Sequence, residues 1–442
     1  MVKTRTSTIS ELPHDVALPG LAVAAPDRML EILRDSPSFA PANERETWQS
    51  CTMMEAIYQP GRACRIAYAL GPDGANERQD LLYARWDPQT RQHESAVQLW
   101  GEGHGFEVYR YPRDRRMRQI RSMRRDTWLR RASETWFRQA WGEGRFADEG
   151  WRCTPIKYVP ESRLVCRLKG HWTGAGDDKW ARAYVRISRR NDAEQHHRAL
   201  IRIRDALAAG GAAVTTPSPL GCMPNRHLLA TEFVRGRSLK ELAQNGSADD
   251  VVATVGKLAS LYGCRPDLEG QESAFGTDRT QDMLRDLSYG GHDRADACRE
   301  LDSWSEQRPP QPLSTGLVHG DLHCGQIIHR GDRVCVVDWE RAALGDGTQD
   351  ILNLALELSE ASWLQTDYPD SGIDLASACV EAWRSAGGPW NENAVRWWAV
   401  RSLVLRAWGL MRHLRPQWPS SARHLLDRAV QVWNCGLGFV ES

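Results

Sequence analysis

One short stretch constrains this chain more than any other. It reads His319-Gly320-Asp321-Leu322-His323-Cys324-Gly325-Gln326, and then Val336-Val337-Asp338-Trp339-Glu340. An Asp is followed five residues later by an amide side chain, and twelve residues beyond that amide a second Asp ends an apolar run. Apolar segments at 316–318 and 334–337 predict short strands around these polar residues. One carboxylate in such a set can orient an acceptor and take its proton. An amide and a second carboxylate can together hold a divalent cation.

The 442 residues suffice for a bilobal molecule with an addition, and a hydrophobic share of 41% excludes wholesale disorder. Lys plus Arg equals Asp plus Glu at 57 each. A net charge of zero provides no global drive toward nucleic acid or an anionic membrane. The segment Met1 to Pro26 lacks the apolar stretch of a secretory signal, and no run of about 18 apolar residues predicts a membrane span. The 11 Cys have no CxxC pair, which fits reduced thiols and a cytoplasmic location better than a disulfide framework or zinc site. Cys324, inside the motif, reads as a small space-filler rather than a nucleophile.

Along the chain, Met1 to about Glu46 reads as a partly ordered arm. Strands are expected at Met53–Tyr58, Arg62–Leu70 and Leu81–Trp86, with turns at Pro60-Gly61 and Gly71-Pro72-Asp73-Gly74. The pattern returns about 100 residues later: Tyr58-Gln59-Pro60 is echoed by Tyr158-Val159-Pro160, and Tyr83-Ala84-Arg85 by Tyr184-Val185-Arg186. Between the copies, Arg110 to Arg131 is rich in arginine. Either it is a phosphate or nucleic-acid face, or a solvated helix face with Met117, Ile120, Met123, Trp128 and Leu129 beneath. The composition argues against nucleic acid.

From Ile156 the order is strand, glycine turn, strand and helix: Arg163–Lys169, Gly170–Asp178 with Gly170, Gly174 and Gly176, Ala181–Ser188, and Asp192–Ala209. A further strand spans Leu228–Val234. Beyond Gly236 helices predominate: Ser238–Gln244, Ala248–Tyr262, Asp282–Trp304, Gln349–Glu360, Ala376–Ser385, Asn393–His413 and Ala422–Trp433. The 19 Trp are expected mostly in cores.

The motif from His319 to Asp338 resembles the catalytic and metal-binding loops of the aminoglycoside phosphotransferase and choline kinase-like enzymes. The resemblance covers roughly Ile156 to the C-terminus. It implies an α+β, bilobal protein-kinase-like fold with a small β-rich lobe and a large, mainly helical lobe. The expected division is 156–236 for the small lobe and 237–442 for the large one. Residues 1–155 form an extra N-terminal α+β region, for which a degenerate duplicate of the small-lobe sheet is one reading. A sheet exposed on both faces is unstable, so this region is expected to dock on the lobes or on another subunit.

The resemblance further implies that Asp321 is the catalytic base or acceptor-aiming group and that His319 braces its loop. Asp338 would hold Mg2+, and Asp350 would tie the loops together. Gln326 stands where the family usually has Asn, and its longer amide implies a shifted metal or loop. Arg186 stands where kinases carry a phosphate-contacting Lys, with Glu194 as its expected helix partner. Thr231 to Gly236 resembles the hinge, where Glu232 and Val234 would face the nucleotide base. The glycines at 170, 174 and 176 are either a phosphate-approach loop or an ordinary turn.

The implied function is a phosphotransferase using ATP, or GTP, with Mg2+ to phosphorylate a hydroxyl on a small molecule: a sugar, amino sugar, aminoglycoside-like compound or amino alcohol. Glu340, Asp346, Glu357 and Glu360 hint at a cationic acceptor, against the reading of ordinary acidic helix faces. The substitutions at Arg186 and Gln326 motivate an alternative, a nucleotide-binding pseudokinase with a regulatory or scaffolding role. Acceptor identity and oligomeric state are not encoded in these motifs.

Overall fold

The computed structural model describes residues 12–437, apart from 73–79, 89–95, 102–103, 125–126, 148, 175–178, 269–277 and 361–370. The first sheet is built from β1 (Ser50–Gln59), β2 (Ala63–Gly71), β3 (Asp80–Trp86), β4 (Val97–Gly101) and β5 (His104–Arg110), antiparallel in the order β1-β2-β3-β5-β4. The first three strands follow the period-2 pattern in the sequence; β4 and β5 were not expected from it. Alternation sends Tyr58, Ile66, Tyr68, Leu82, Trp86 and Phe106 to one face and Ala67, Tyr83 and Tyr109 to the other.

Both faces are covered. The first packs against the Pro26–Arg34 helix and helices of the C-terminal half, the second against the next sheet. From residue 12 onward, the segment expected as a partly ordered arm is folded. Its helix buries Met29, Leu30 and Leu33. Asp15 accepts hydrogen bonds from Tyr58 Oη (2.9 Å), the Gly61 N–H (2.8 Å) and Tyr289 Oη (3.2 Å).

The second sheet contains β6 (Gly144–Phe146), β7 (Arg152–Val159), β8 (Arg163–Gly174), β9 (Lys179–Ser188), β11 (Pro219–Met223) and β12 (Leu228–Glu232). Its order is β11-β12-β9-β8-β6, with β7 also paired to β8. It extends upstream of residue 156: β6 and the first half of β7 belong to it, and the Thr127–Trp141 helix packs on it through Leu129, Trp136 and Phe137. Met117 and Ile120 are buried in the same core, beneath the arginine-rich segment. The Ala193–Ala209 helix buries Ala199, Leu200, Ile203 and Leu207, the stripe its periodicity predicts.

The first hairpins of the two sheets share their details. Gln59 faces Ala63 and Tyr58 faces Cys64; Val159 faces Arg163 and Tyr158 faces Leu164. Each hairpin has a bulge in its first strand, between Met53 and Glu55 and, two residues nearer the turn, between Pro155 and Lys157. Each turn holds a residue in the left-handed region, Gly61 (φ +66°) and Glu161 (φ +58°). Asp114 repeats the role of Asp15, accepting from Tyr158 Oη (2.6 Å) and the Glu161 N–H (3.0 Å).

Residues 233–236 lead to β13 (Arg237–Ser238) and the mainly helical half. There Ser238 caps the Leu239–Gln244 helix reciprocally with Glu241. Two small sheets carry the polar motif. One has the order β10 (Val214–Thr215), β16 (Arg333–Val336), β15 (Ile327–Arg330) and β13. The other pairs β14 (Gly316–Val318) with β17 (Ala343–Gly345). The single helix expected over Asp282–Trp304 is three: Asp278–Ser288, His292–Glu300 and Asp302–Ser305, broken first at Gly290-Gly291. Trp304, Trp397, Trp398 and Trp418 lie in the core under the Glu392–Arg412 helix. Among the described residues, no helix is long and apolar enough to cross a membrane. The molecule is thus an α+β, bilobal protein-kinase-like fold with an extra N-terminal sheet.

Candidate active site

Asp350 organises the motif. It is buried at the start of the Thr348–Ser359 helix and accepts from the backbone N–H groups of His319 (2.6 Å) and Gly320 (3.0 Å), and from Tyr262 Oη (2.8 Å). Burial pushes its carboxyl above the ordinary value, against these hydrogen bonds and the nearby His319. His319 is fully buried, donates from Nε2 to the Val337 carbonyl (2.9 Å), and packs its ring 4.9 Å from that of Trp339. The Val337 N–H in turn donates to the Gln326 carbonyl (2.9 Å). One network therefore fixes the backbone just before Asp321, at Gln326 and just before Asp338.

Asp338 is exposed and adopts φ +68°, ψ +52°, a left-handed conformation that glycine adopts freely and that Asp tolerates better than most L-residues. His323 lies within electrostatic reach of both Asp321 and Asp338. Burial lowers the His323 pKa despite Glu357 and the two aspartates, and its Nδ1 accepts from the Gly325 N–H (3.1 Å), so the neutral ring carries its proton on Nε2. Cys324 is buried, its N–H bound to Glu357 (2.7 Å), and burial with Glu357 alongside pushes its thiol well up. It is an inert filler.

Gln326 is 4% exposed, and its amide oxygen is buried without a hydrogen-bond partner. A buried acceptor left unpaired costs about 1–3 kcal/mol, so this oxygen suits a ligand that supplies positive charge. No group of three or more His, Cys, Asp or Glu among the described residues is arranged to hold a metal. A cation here would take two protein ligands, Asp338 and Gln326. Magnesium, which keeps waters and binds substrate phosphates, tolerates so small a protein share.

Arg186, on β9, faces this site. It ion-pairs with Glu340 and with Asp192 (3.6 Å), contacts His196, and lies within electrostatic reach of Asp338. The expected partner, Glu194, is not among these groups; it is exposed and pairs with Arg198. Helix geometry explains the correction. Asp192 and His196 are four residues apart and share the face toward β9, whereas Glu194 points about 200° away from Asp192 toward solvent.

Lys157 and Arg163 also face the site, without a motif to announce them. Arg163 reaches Glu340 (3.4 Å), and Lys157 lies within reach of Arg163 and Asp338. Desolvation and Arg163 lower the Lys157 pKa. The turn aimed at the Asp338 loop is thus β7–β8, which has no glycine. Gly170 and Gly174 lie on β8 toward its opposite end. A Cβ at Gly170 would meet Phe146 at 2.6 Å, and one at Gly174 the Glu143 carbonyl at 2.5 Å, so close packing demands them. Gly176 lies outside the described residues.

Glu232 ends β12, its N–H bound to Ser218 O (2.9 Å), and Val234 lies in the link between the lobes. On the other side of the motif, Arg341 covers Asp321 (Nη1 to Oδ1 3.3 Å). Its only sequence signal is its place directly after Glu340.

A sequence model of the phosphotransferase enzyme family (APH) matches residues 172–414. The thiamine kinase of Escherichia coli (strain SMS-3-5 / SECEC) is 34% identical over 67 residues, 15% of this chain and 22% of that protein. The chain thus spans about a fifth of the curated relatives it matches. Among solved structures, a thermostable mutant of aminoglycoside phosphotransferase APH(4)-Ia, in ternary complex with ADP and hygromycin B, is similar at 14% identity and a TM-score of 0.44. That match covers 68% of this chain and 98% of the other. Choline kinase from Cryptosporidium parvum Iowa II is similar at 13% identity and a TM-score of 0.44, over 64% of this chain and 89% of the other. With more than half its length matched by the family model, and the motif residues gathered around Asp350, the chain belongs to the phosphotransferase enzyme family.

Proposed function

We propose that this protein transfers the γ-phosphoryl group of ATP, with Mg2+, to a hydroxyl of a small molecule. The observation that carries this reading is the network through Asp350, which holds Asp321, the buried Gln326 amide and Asp338 on adjoining loops. Asp321 would aim the acceptor hydroxyl and take its proton. The acceptor O–P bond forms as the bridging P–O bond of ATP breaks, and ADP leaves. Lys157, Arg163 and Arg186 would neutralise the phosphates from the small-lobe side, and His319 would hold the loop. Glu232 and Val234, in the strand and link between lobes, would offer backbone groups to the nucleotide base. Bound Mg2+ would add charge neutralisation at the phosphates, held by Asp338 and Gln326.

The division into an N-terminal region, a small lobe and a large lobe belongs to the same proposal. The matched hairpins support reading the first sheet as a degenerate copy of the second.

The test is transfer of label from γ-labelled ATP, with magnesium, into a fractionated metabolite extract, with Asp321→Asn in parallel. A labelled species made by the wild type and reduced at least about a hundredfold in the variant is the expected result. One observation favours nucleotide binding without turnover: Arg341 already occupies Asp321. Saturable magnesium-dependent ATP binding with no labelled product in any fraction would support that second reading.

A further inference from the structure

The second sheet has one face in a core and one toward solvent. Alternation sends Leu164, Cys166, Leu168, Ala181, Ala183 and Val185 into the core shared with the first sheet. On the opposite face, no position of β7, β8 or β9 holds a carboxylate. Register lines up the cations there. Arg152 faces Lys169, and Lys169 faces Arg182, so three positive side chains stand directly opposite one another across three strands. One row nearer the cleft, Thr154 faces Arg167, Arg167 faces Tyr184, and Tyr184 faces Thr231 of β12.

The two ends of this face differ. At the cleft, Glu340 meets Arg163 (3.4 Å) and Arg186, and Glu55 stands 4.0 Å from Lys157. Farther out, among the described residues, no carboxylate lies within ion-pair distance of Arg152, Arg167, Lys169 or Arg182. The Arg182 Nε is buried without a hydrogen-bond partner. Like charges directly opposite in a sheet are unfavourable in the protein alone, and an anion laid across them reverses the sign.

Aromatic rings are interleaved with these cations. Trp180 keeps 45% of its surface exposed, with Lys169 Nζ 4.2 Å and the His171 ring 5.5 Å from its ring centre. Tyr184, four residues along the same strand, packs 5.3 Å from Phe233 in the link between lobes, and Arg182 covers Phe233 at 5.5 Å. A single phosphate would meet one row and leave the rest. Carboxylates alone would leave the rings unused. A chain of alternating phosphates and flat bases meets both.

We propose that this face binds single-stranded RNA. Bases would stack on Trp180 and Tyr184, and phosphates would meet Arg152, Arg167, Lys169 and Arg182. The hydroxyls of Thr154 and Thr231, in the row of Arg167 and Tyr184, would serve the ribose 2′-hydroxyls. A duplex keeps its bases stacked inside and offers the rings nothing. The zero net charge of the chain does not oppose this, because the positive excess is local to one face.

Fluorescence anisotropy on the full chain tests this, with a labelled oligouridylate of about 12 nucleotides. Titrations run with and without AMP-PNP and magnesium in the cleft. The competitors are the corresponding deoxy strand, the RNA duplex and polyglutamate. Expected is binding of the single RNA strand that AMP-PNP leaves in place and that each competitor displaces at least about tenfold less well than unlabelled oligouridylate. Four phosphate contacts predict a slope of about −3 for log affinity against log salt. Trp180→Ala should lower affinity at least about fivefold. Lys169→Gln should lower affinity and flatten the salt slope by about 0.7, while thermal stability holds or rises as the row of like charges is broken. Arg152, Lys169 and Trp180 are exposed, so their variants keep the fold. The proposal is overturned if oligouridylate does not bind, or if AMP-PNP displaces it, which would place it in the cleft. Unchanged affinity in Trp180→Ala would reduce the face to charge adsorption. Equal competition by polyglutamate would point to an acidic protein instead, and equal competition by the deoxy strand would remove the assignment to RNA.

Discussion

Asp338 at φ +68° accepts a backbone conformation that costs an L-residue roughly 1–2 kcal/mol. The network around it, His319 to Val337 and Val337 to Gln326, fixes the backbone just before Asp338 and at Gln326, whose amide oxygen is buried without a hydrogen-bond partner. Gln326 and Asp350, the unpaired and the fully paired acceptor of this network, therefore predict opposite responses. Gln326→Met removes a buried acceptor that nothing satisfies while keeping the side-chain length. Stability should stay level or rise by up to about 1 kcal/mol, while the magnesium concentration for half-maximal activity rises about tenfold or more. Denaturant melts and a magnesium titration read the two effects, and a large stability loss would show that the amide has a structural partner. Asp350→Ala should do the reverse. It strips three donors of one buried acceptor and should cost about 3 kcal/mol or more, visible as a lower unfolding midpoint.

At the scale of elements, two turns set the geometry of the cleft. The link between lobes ends at Gly236 (φ +155°), where an added Cβ would lie 2.4 Å from the His329 carbonyl. That contact is backbone, so it has no flexible end to yield. Gly236→Ala should destabilise by about 1–3 kcal/mol, with hydrogen exchange quickening first in β13 and β15. Unchanged exchange there would mean that the link shifts freely.

The β7–β8 turn holds Glu161, buried and left-handed, with Arg65 (3.4 Å), Arg85 (3.2 Å) and Arg116 (3.4 Å) around its carboxylate. Glu161→Gln leaves buried guanidiniums short of one counter-charge and should cost about 3–5 kcal/mol. A double-mutant cycle with Arg85→Gln should recover part of that loss; strict additivity would rule out the coupling. Lys157 and Arg163, flanking this turn, then stand toward Asp338 partly because the N-terminal sheet grips it.

For the molecule as a whole, Glu55 is the point where three parts meet. It lies on β1 and bonds His413 Nδ1 (2.6 Å) in the large lobe, with Lys157 and Arg415 each 4.0 Å away. Burial alone would raise its carboxyl, but the His413 hydrogen bond and the three positive neighbours outweigh it and set the pKa below the ordinary glutamate value. A depressed pKa contributes stability above the unfolded-state value, about 4.3, and that stability is lost as pH falls through the folded value. Acidification below about pH 4 should therefore loosen the docking of β1 before the lobes unfold. Glu55→Gln should flatten this acid limb, as followed by hydrogen exchange in β1 across the range; an unchanged limb would assign it to other carboxylates.

The spacing of Asp321, Gln326 and Asp338 made the family and the kinase-like order of elements legible in the sequence, because local motifs carry their own geometry. Period-2 and period-3.6 patterns likewise revealed β1 to β3, β8, β9 and the buried stripe of the Ala193–Ala209 helix. Only the tertiary structure decided that Arg186 meets Glu340 and not Glu194, that the glycine-free β7–β8 turn faces the Asp338 loop, and that Arg341 covers Asp321. These pairings join residues from separate elements, 154 positions apart in the case of Arg186 and Glu340. Arginines look alike in a sequence whether solvated or facing a site. Charge meets charge only after the sheets and helices have packed, and no local spacing records where that packing places a side chain.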